Sequence, residues 1–296
     1  MFGTDLKRGT LLSTGAALWA AAFLIPYKQA SLLADAQVVA LAMLTASAVW
    51  NTVTALVQTR GALGLNKTSV WAAIALAVFS VTGNICSSNS LGTLEPAITS
   101  VLLRTQVVFV ALAGALFLGE RISAAIAVGA AVALAGLLVM RMPYDGNAEF
   151  TGVLWALGAA NSFGAMVIIT RKVIHRIEPI AVNAIRLWIA VAFLACLPGN
   201  ASRTIGAGGE VWLLAAIAAF CGPFISRICI MYALKHVTAA FQVLIGLSSP
   251  AFAFALGFLI LGTIPTGYEL LGGAIILVGI AIPVGSGLRQ RHLSAT

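Results

Sequence analysis

Charge is what this sequence has least of. Asp, Glu, Lys and Arg together make up 9% of the 296 residues, where a soluble domain has about 25%, while 60% are apolar and the mean hydropathy is +1.03. So few polar groups cannot clothe a globule in water, which excludes a soluble enzyme. Histidine is scarce, with three in the chain. The four cysteines, Cys86, Cys196, Cys221 and Cys229, lie in apolar stretches without the close Cys/His spacing that holds zinc, and they read as small packing residues. No metal and no cofactor is expected. The long apolar stretches contain no Ser/His pair and no carboxylate pair that would supply a nucleophile or general base, so catalysis is not expected either.

What is present in abundance is apolar sequence in lengths that suit a bilayer. A helix needs about 20 mainly apolar residues to cross the roughly 30 Å hydrocarbon core. Ten such runs stand between polar or Gly/Pro breaks, at 9–27, 36–58, 69–91, 96–118, 124–140, 152–170, 180–197, 211–233, 238–262 and 268–284. The intervening segments are short, the longest being 141–151 and 198–210, which leaves no room for a domain outside the membrane.

The net charge of +8 would suggest nucleic acid in a soluble protein, but here the cations sort by side of the membrane. Eleven of the 17 Lys and Arg fall on the side of the N-terminus: Lys7, Arg8, Arg60, Lys67, Arg121, Arg171, Lys172, Arg176, Lys235, Arg289 and Arg291. Lys28, Arg141 and Arg203 fall on the other, and Arg104, Arg186 and Arg227 lie inside spans. The positive-inside rule then puts both termini in the cytoplasm, and nucleic acid is not an expected partner.

Shifting the chain by 143 residues against itself aligns Gly9, Leu11, Gly15, Ala16 and Ala17 with Gly152, Leu154, Gly158, Ala159 and Ala160. The same offset brings Cys86 onto Cys229, and Gly119, Gly129 and Gly136 onto Gly262, Gly272 and Gly279. One constant offset across both halves implies a duplication. Two repeats are expected, 1–145 and 146–296, together forming one transport domain. Five spans per copy is an odd number, so the second copy enters from the opposite side. The expected fold is an all-α membrane protein of ten transmembrane helices in two inverted five-helix repeats, an architecture found in secondary transporters. Residues 1–36 also have the outline of a signal peptide, with Lys7-Arg8 ahead of an apolar run and Ala34-Asp35-Ala36 behind it. The match of the first span to the sixth favours a retained helix.

Ten helices in two units, with Leu118-Gly119-Glu120-Arg121 ending the fourth span, a Gly9-led first helix and a fifth helix bearing Gly129 and Gly136, resemble the drug/metabolite transporter superfamily. Within it the chain is similar to the EamA-type ten-helix members, most of all the YddG-type aromatic amino-acid exporters. The resemblance covers the whole chain. It implies a multi-pass protein of the bacterial inner membrane that exports small metabolites by alternating access; separately, a monomer is expected. Aromatic or hydrophobic amino acids are the implied substrate class; a multidrug or nucleoside exporter, and a lipid-handling or non-transporting membrane protein, are the alternatives. Two departures stand out. Gly262-Thr263-Ile264 replaces the Gly-Glu-Arg ending in the second copy, and Val107 occupies the position of Pro250 in the first. A kink at that level is therefore expected in one half only.

Polar side chains in a bilayer usually face a cavity or a partner helix. Asn84, Ser87, Ser88 and Ser90 cluster on one face of the third span, as pathway lining or as helix-to-helix contacts. Arg104 lies about 12 Å below Pro96 by helix rise, too deep to reach water easily, and Gln106 follows about 200° round the helix. Arg186 and Arg227 are roughly 9 Å from helix ends, where snorkelling explains them. Trp19 and Trp188, near mid-membrane, are positioned either to stack on a substrate or to pack. Asn161, Tyr232 and Gln242 complete the candidate substrate-binding set, and Pro223 and Pro250 are expected to bend helices as gates. No Asp, Glu or His stands near the middle of a span. A mid-membrane carboxylate commonly carries a coupling proton, so its absence points to uniport.

Overall fold

The computed structural model describes residues 5–58, 66–94, 99, 102–140, 150–262 and 266–294. Helix is the only regular secondary structure among them. Six helical segments are long and apolar enough to cross a membrane: Leu6–Leu33, Gln37–Gln58, Lys67–Ser87, Phe150–Val173, Gly209–Ala233 and Ala239–Ile260. Four shorter apolar helices, Leu102–Leu118, Ala124–Val139, Pro179–Ala195 and Leu270–Ser286, bring the number to ten, in the order expected from the sequence. Leu11, Leu32, Val57, Trp71, Leu116 and Leu259 are among the many large apolar side chains left exposed, as a surface bathed by lipid tails requires. The short helix Asn200–Ile205, between the seventh and eighth spans, was not expected.

Helix pairing follows the repeat. The third span packs on the sixth and the eighth on the first; the second packs on the seventh and the fifth on the tenth. The fifth and tenth spans approach closest. A methyl group on Gly129 would stand 2.5 Å from the Gly279 carbonyl oxygen, and one on Gly136 would stand 2.8 Å from that of Gly272. Only glycine allows backbones so near. The two contacts interchange under the 143-residue offset, and they run in opposite directions along the two helices.

Both repeats end their fourth helix alike. Gly119 and Gly262 adopt left-handed backbone, with φ of 63° and 65°, which stops the helix without the strain a side chain would bring. Further back, the same helices are broken in both halves, which corrects the one-sided kink expected from Pro250. The Thr105 N–H donates to Leu102 O at 3.1 Å and its Oγ1 to the same oxygen at 2.6 Å. At the matching level, the Ser248 N–H donates to Ile245 O at 2.9 Å and its Oγ at 2.7 Å. A hydroxyl that captures the i−3 carbonyl tightens the turn without any proline. Pro250 sits just beyond, in the first turn of the helix Ser249–Leu261, where its missing N–H costs nothing.

The eighth span is divided differently. α-Helix runs through Gly209–Ala219 and Arg227–Ala233, and between them Phe220–Ser226 forms a seven-residue π-helix around Pro223. Pro223 has no N–H to give, and its ring crowds the preceding turn, so the chain widens there. Phe220 and Phe224 pack against each other, and Trp19 and Trp50 close on Phe220 at 6.3 and 5.8 Å.

Candidate functional site: a cationic cavity among the broken helices

A cavity of about 500 Å³ lies in the bundle where these irregularities converge. The first, second, third, fourth, sixth, seventh, eighth and ninth spans all contribute to its wall. Its lining is mixed: Phe23, Leu24, Met43, Leu44, Phe163 and Ile230 are apolar, and Ser80, Asn84, Gln106, Gln242 and three arginines, Arg104, Arg186 and Arg227, are polar.

Arg186 is buried and bonded throughout, so it does not snorkel to a surface. Its Nε and Nη2 donate to Asn183 Oδ1 at 3.1 and 2.9 Å, and its Nη1 donates to Ser80 Oγ at 3.0 Å. Asn183 is fixed in turn, its Nδ2 donating to Asn51 Oδ1 at 2.9 Å and to Pro223 O at 3.1 Å. Asn51 reaches on to Ser47 O at 2.8 Å. This chain of neutral acceptors links the second, third, seventh and eighth spans and orients the guanidinium toward the cavity. Arg227 is held more loosely. Its Nη2 donates to Thr170 Oγ1 at 3.4 Å, while its Nε is buried with no partner. The Ser13 Oγ, also in the cavity wall, is buried without a partner too.

Of the residues singled out in the sequence, Asn84, Arg104, Gln106, Gln242 and Pro223 line this cavity. Asn84 is oriented by donation from its Nδ2 to Ser80 O at 2.7 Å. The side chain of Ser88 lies outside the described residues, as do Glu95 and Pro96. Ser90 is buried, its Oγ 3.0 Å from Thr99 Oγ1, where it ties helices together. Trp19, Asn161, Trp188, Tyr232 and Pro250 are not part of the cavity lining. Trp19 meets Phe220 edge-on, Asn161 is exposed, and Trp188 is 43% exposed with its Nε1 donating to Thr52 Oγ1 at 3.0 Å. Tyr232 carries the Lys235 ammonium 4.7 Å above its ring, and Pro250 is buried behind the wall. Asn183, Ser80 and Ser13 were missed, and Arg186 and Arg227, expected to snorkel, line the cavity instead. A spacing of three between Asn183 and Arg186 was the available signal, since it puts both on one helix face.

Toward the Lys- and Arg-rich face, an ion pair ties helix ends together. Glu120, just past the fourth span, accepts from Arg171 Nε at 2.9 Å and from the Ala239 N–H at 3.0 Å, while Arg171 Nη1 donates to Leu234 O. One acid and one base thus join the ends of the fourth, sixth, eighth and ninth spans.

A central polar cavity within two matching halves, bounded at one face by a cross-helix ion pair, is an arrangement for passage rather than catalysis. The EamA-like transporter family model matches this chain twice, over residues 7–142 and 150–284. The chain belongs to the EamA-like transporter family. As such it is a membrane transporter and not an enzyme. A relative, the "Probable terminal-alkyne amino-acid exporter" of Streptantibioticus cattleyicolor, is 28% identical over 203 residues, 67% of each protein. A protein known from a crystal structure superposes on this transporter with a TM-score of 0.78 at 19% identity, across 96% of this chain and 99% of the other. At that identity the likeness shows the fold alone.

Proposed function

We propose that this EamA-like transporter exports small carboxylate-bearing metabolites, amino acids with aromatic or hydrophobic side chains foremost, by alternating access across a bacterial inner membrane. The observation that carries the reading is the mixed lining of the cavity, with guanidinium groups that suit a carboxylate and Phe, Met, Leu and Ile that suit a side chain. The volume of about 500 Å³ falls in the range of small-molecule sites. The name of the Streptantibioticus relative, an amino-acid exporter, points the same way.

The repeats 1–145 and 146–296 act as one inverted pair. Interchange of the Gly129–Gly279 and Gly136–Gly272 contacts supports a two-fold axis in the membrane plane between antiparallel fifth and tenth spans. With the basic face placed in the cytoplasm by the positive-inside rule, both termini are cytoplasmic, and the Glu120–Arg171 pair closes the inner side. The cavity wall then includes Leu24 and Met43 from the outer half of the membrane. Transport is uniport by a monomer: among the described residues no Asp, Glu or His lines the cavity to take up a coupling proton. That lack also weighs against cationic drugs as cargo.

Reconstitution into liposomes tests the reading. Saturable uptake of labelled aromatic or aliphatic amino acids or their carboxylate derivatives is expected, unaltered by a pH gradient. Exclusive competition by cationic drugs or nucleosides would transfer the protein to the multidrug class. Stabilisation by lipid head groups, with no solute flux, would support a lipid-handling role.

A further inference from the structure

Two of the arginines in the cavity wall are held very differently. Arg186 is locked by three hydrogen bonds of 2.9, 3.0 and 3.1 Å to Asn183 and Ser80. Arg227 makes one bond among the described residues, 3.4 Å from Nη2 to the neutral Thr170 hydroxyl, and its Nε is buried without a partner there. Ser13, fully buried on the first span, likewise has an Oγ without a partner among them. Both Arg227 and Ser13 belong to the cavity wall.

They also lie close to one level. The Ser226 Oγ donates to Ala16 O at 2.8 Å, which fixes the register between the first and eighth spans, two helices that cross in opposite directions. From that contact Ser13 is three residues, about 4.5 Å, toward the basic face, and Arg227 is one residue, about 1.5 Å, the same way. The two donors are therefore offset by only about 3 Å in height, on helices that pack together along this stretch. The π-helix Phe220–Ser226 ends at the residue before Arg227 and so sets the rotation at which its side chain enters the bundle. The 143-residue offset puts Asn84 at the place of Arg227 and Ala156 at that of Ser13, so the pair is present in one half of the duplicated frame only.

Resting on the carboxylate reading above, the geometry points to Arg227 and Ser13 as the subsite that takes the carboxylate of the cargo, with Arg186 holding together the helices around it. Buried donors without acceptors are costly and rare, and two of them at one level call for an acceptor. A carboxylate only accepts, and it has two oxygens. One meets the guanidinium in a charge-assisted bond while the other receives the bond from the Ser13 hydroxyl. Arg227 can reorient toward such a ligand by giving up one long bond to Thr170, whereas Arg186 would have to break three short ones. Ile230, one turn beyond Arg227 and also in the wall, supplies apolar surface beside the subsite. Carboxylate binding then bridges the first and eighth spans at the end of the widened turn.

The test uses the purified full chain in liposomes with labelled phenylalanine and phenylalaninamide, which share a side chain and differ in the carboxylate. In the unmodified protein the half-saturating concentration for phenylalanine is expected to be about tenfold or more below that for the amide. Arg227→Gln should raise the phenylalanine value by about that factor and leave the amide value within about twofold, which erases the preference. Arg227→Lys should restore part of it, and Ser13→Ala should weaken it severalfold. An arginine with a structural role alone would not change the ratio. A second measurement needs no variant to fold. Arginine modification by phenylglyoxal, mapped by peptide mass spectrometry, should reach Arg227, spare Arg186, and be slowed at Arg227 by phenylalanine but not by the amide. Equal losses for both probes in Arg227→Gln, or modification of Arg227 that phenylalanine leaves unchanged, would show that water satisfies the two donors. Either result would overturn the subsite while leaving amino-acid export standing. Amide flux equal to or better than that of phenylalanine in the unmodified protein, or no flux of either probe, would overturn the carboxylate reading and the subsite with it.

Discussion

Glu120 and Arg171 lie 51 residues apart in sequence and form a 2.9 Å ion pair that joins the fourth and sixth spans at the basic face. The offset of 143 maps them onto Thr263 and Lys28, which cannot make such a pair. The latch belongs to one face only. Glu120→Gln should therefore destabilise closure of that face by about 1–3 kcal/mol, since the pair is largely but not fully buried. The readout is alkylation of Val243→Cys by a membrane-impermeant reagent from the cytoplasmic side. Labelling should rise severalfold in the Glu120→Gln background, and unchanged labelling would remove the latch role.

The arginines of the cavity should separate by mutation. Arg186→Gln strips the bonds to Asn183 and Ser80 and leaves polar groups buried, so a stability loss of about 2–4 kcal/mol together with lost flux is expected. Arg104→Ala should abolish flux while thermal unfolding in detergent stays close to that of the unmodified protein. Unchanged flux in Arg104→Ala would sink its place in the pathway.

Glycine substitutions test the packing of the two halves. Gly129→Ala drives a methyl group to 2.5 Å from a backbone oxygen and should cost about 1–3 kcal/mol, visible as a lowered unfolding midpoint. Gly15→Ala is the control. Its new methyl would meet nothing within 4 Å, and helix propensity should leave stability unchanged or raised by up to about 1 kcal/mol.

The paired breaks in the fourth and ninth spans predict paired effects. Thr105→Val and Ser248→Ala each delete a hydroxyl bond to an i−3 carbonyl and should change stability by about 0.5–1.5 kcal/mol while slowing flux to a similar degree. Strongly unequal flux effects would show that only one break moves during transport.

Span count, order and the repeat were legible in the sequence because bilayer thickness and loop charge leave direct marks, and because Gly129, Gly136, Gly272 and Gly279 had to remain glycine for two backbones to touch. The break at Thr105 was not. Proline is an overt signal, whereas a threonine that turns its hydroxyl onto Leu102 O looks like any other threonine in a helix. The cavity was half legible. Asn84, Arg104, Gln106 and Gln242 could be placed by depth alone, but depth does not say which way a side chain points, so Trp19, Trp188, Asn161 and Tyr232 were grouped with them and stand elsewhere. Arg186 was misread for the opposite reason. Distance from the helix end favoured snorkelling, and only the contact with Asn183 and Ser80, from two helices at once, turns it inward.

Solute counterflow into proteoliposomes, with a panel of amino acids and their carboxylate derivatives tested with and without a pH gradient, addresses the central claim of carboxylate export without proton coupling. Saturable flux of at least one carboxylate-bearing hydrophobic solute, equal under both conditions and lost in Arg104→Ala, is the expected result. Flux that collapses when the pH gradient is dissipated, or that only cationic compounds compete away, would contradict it.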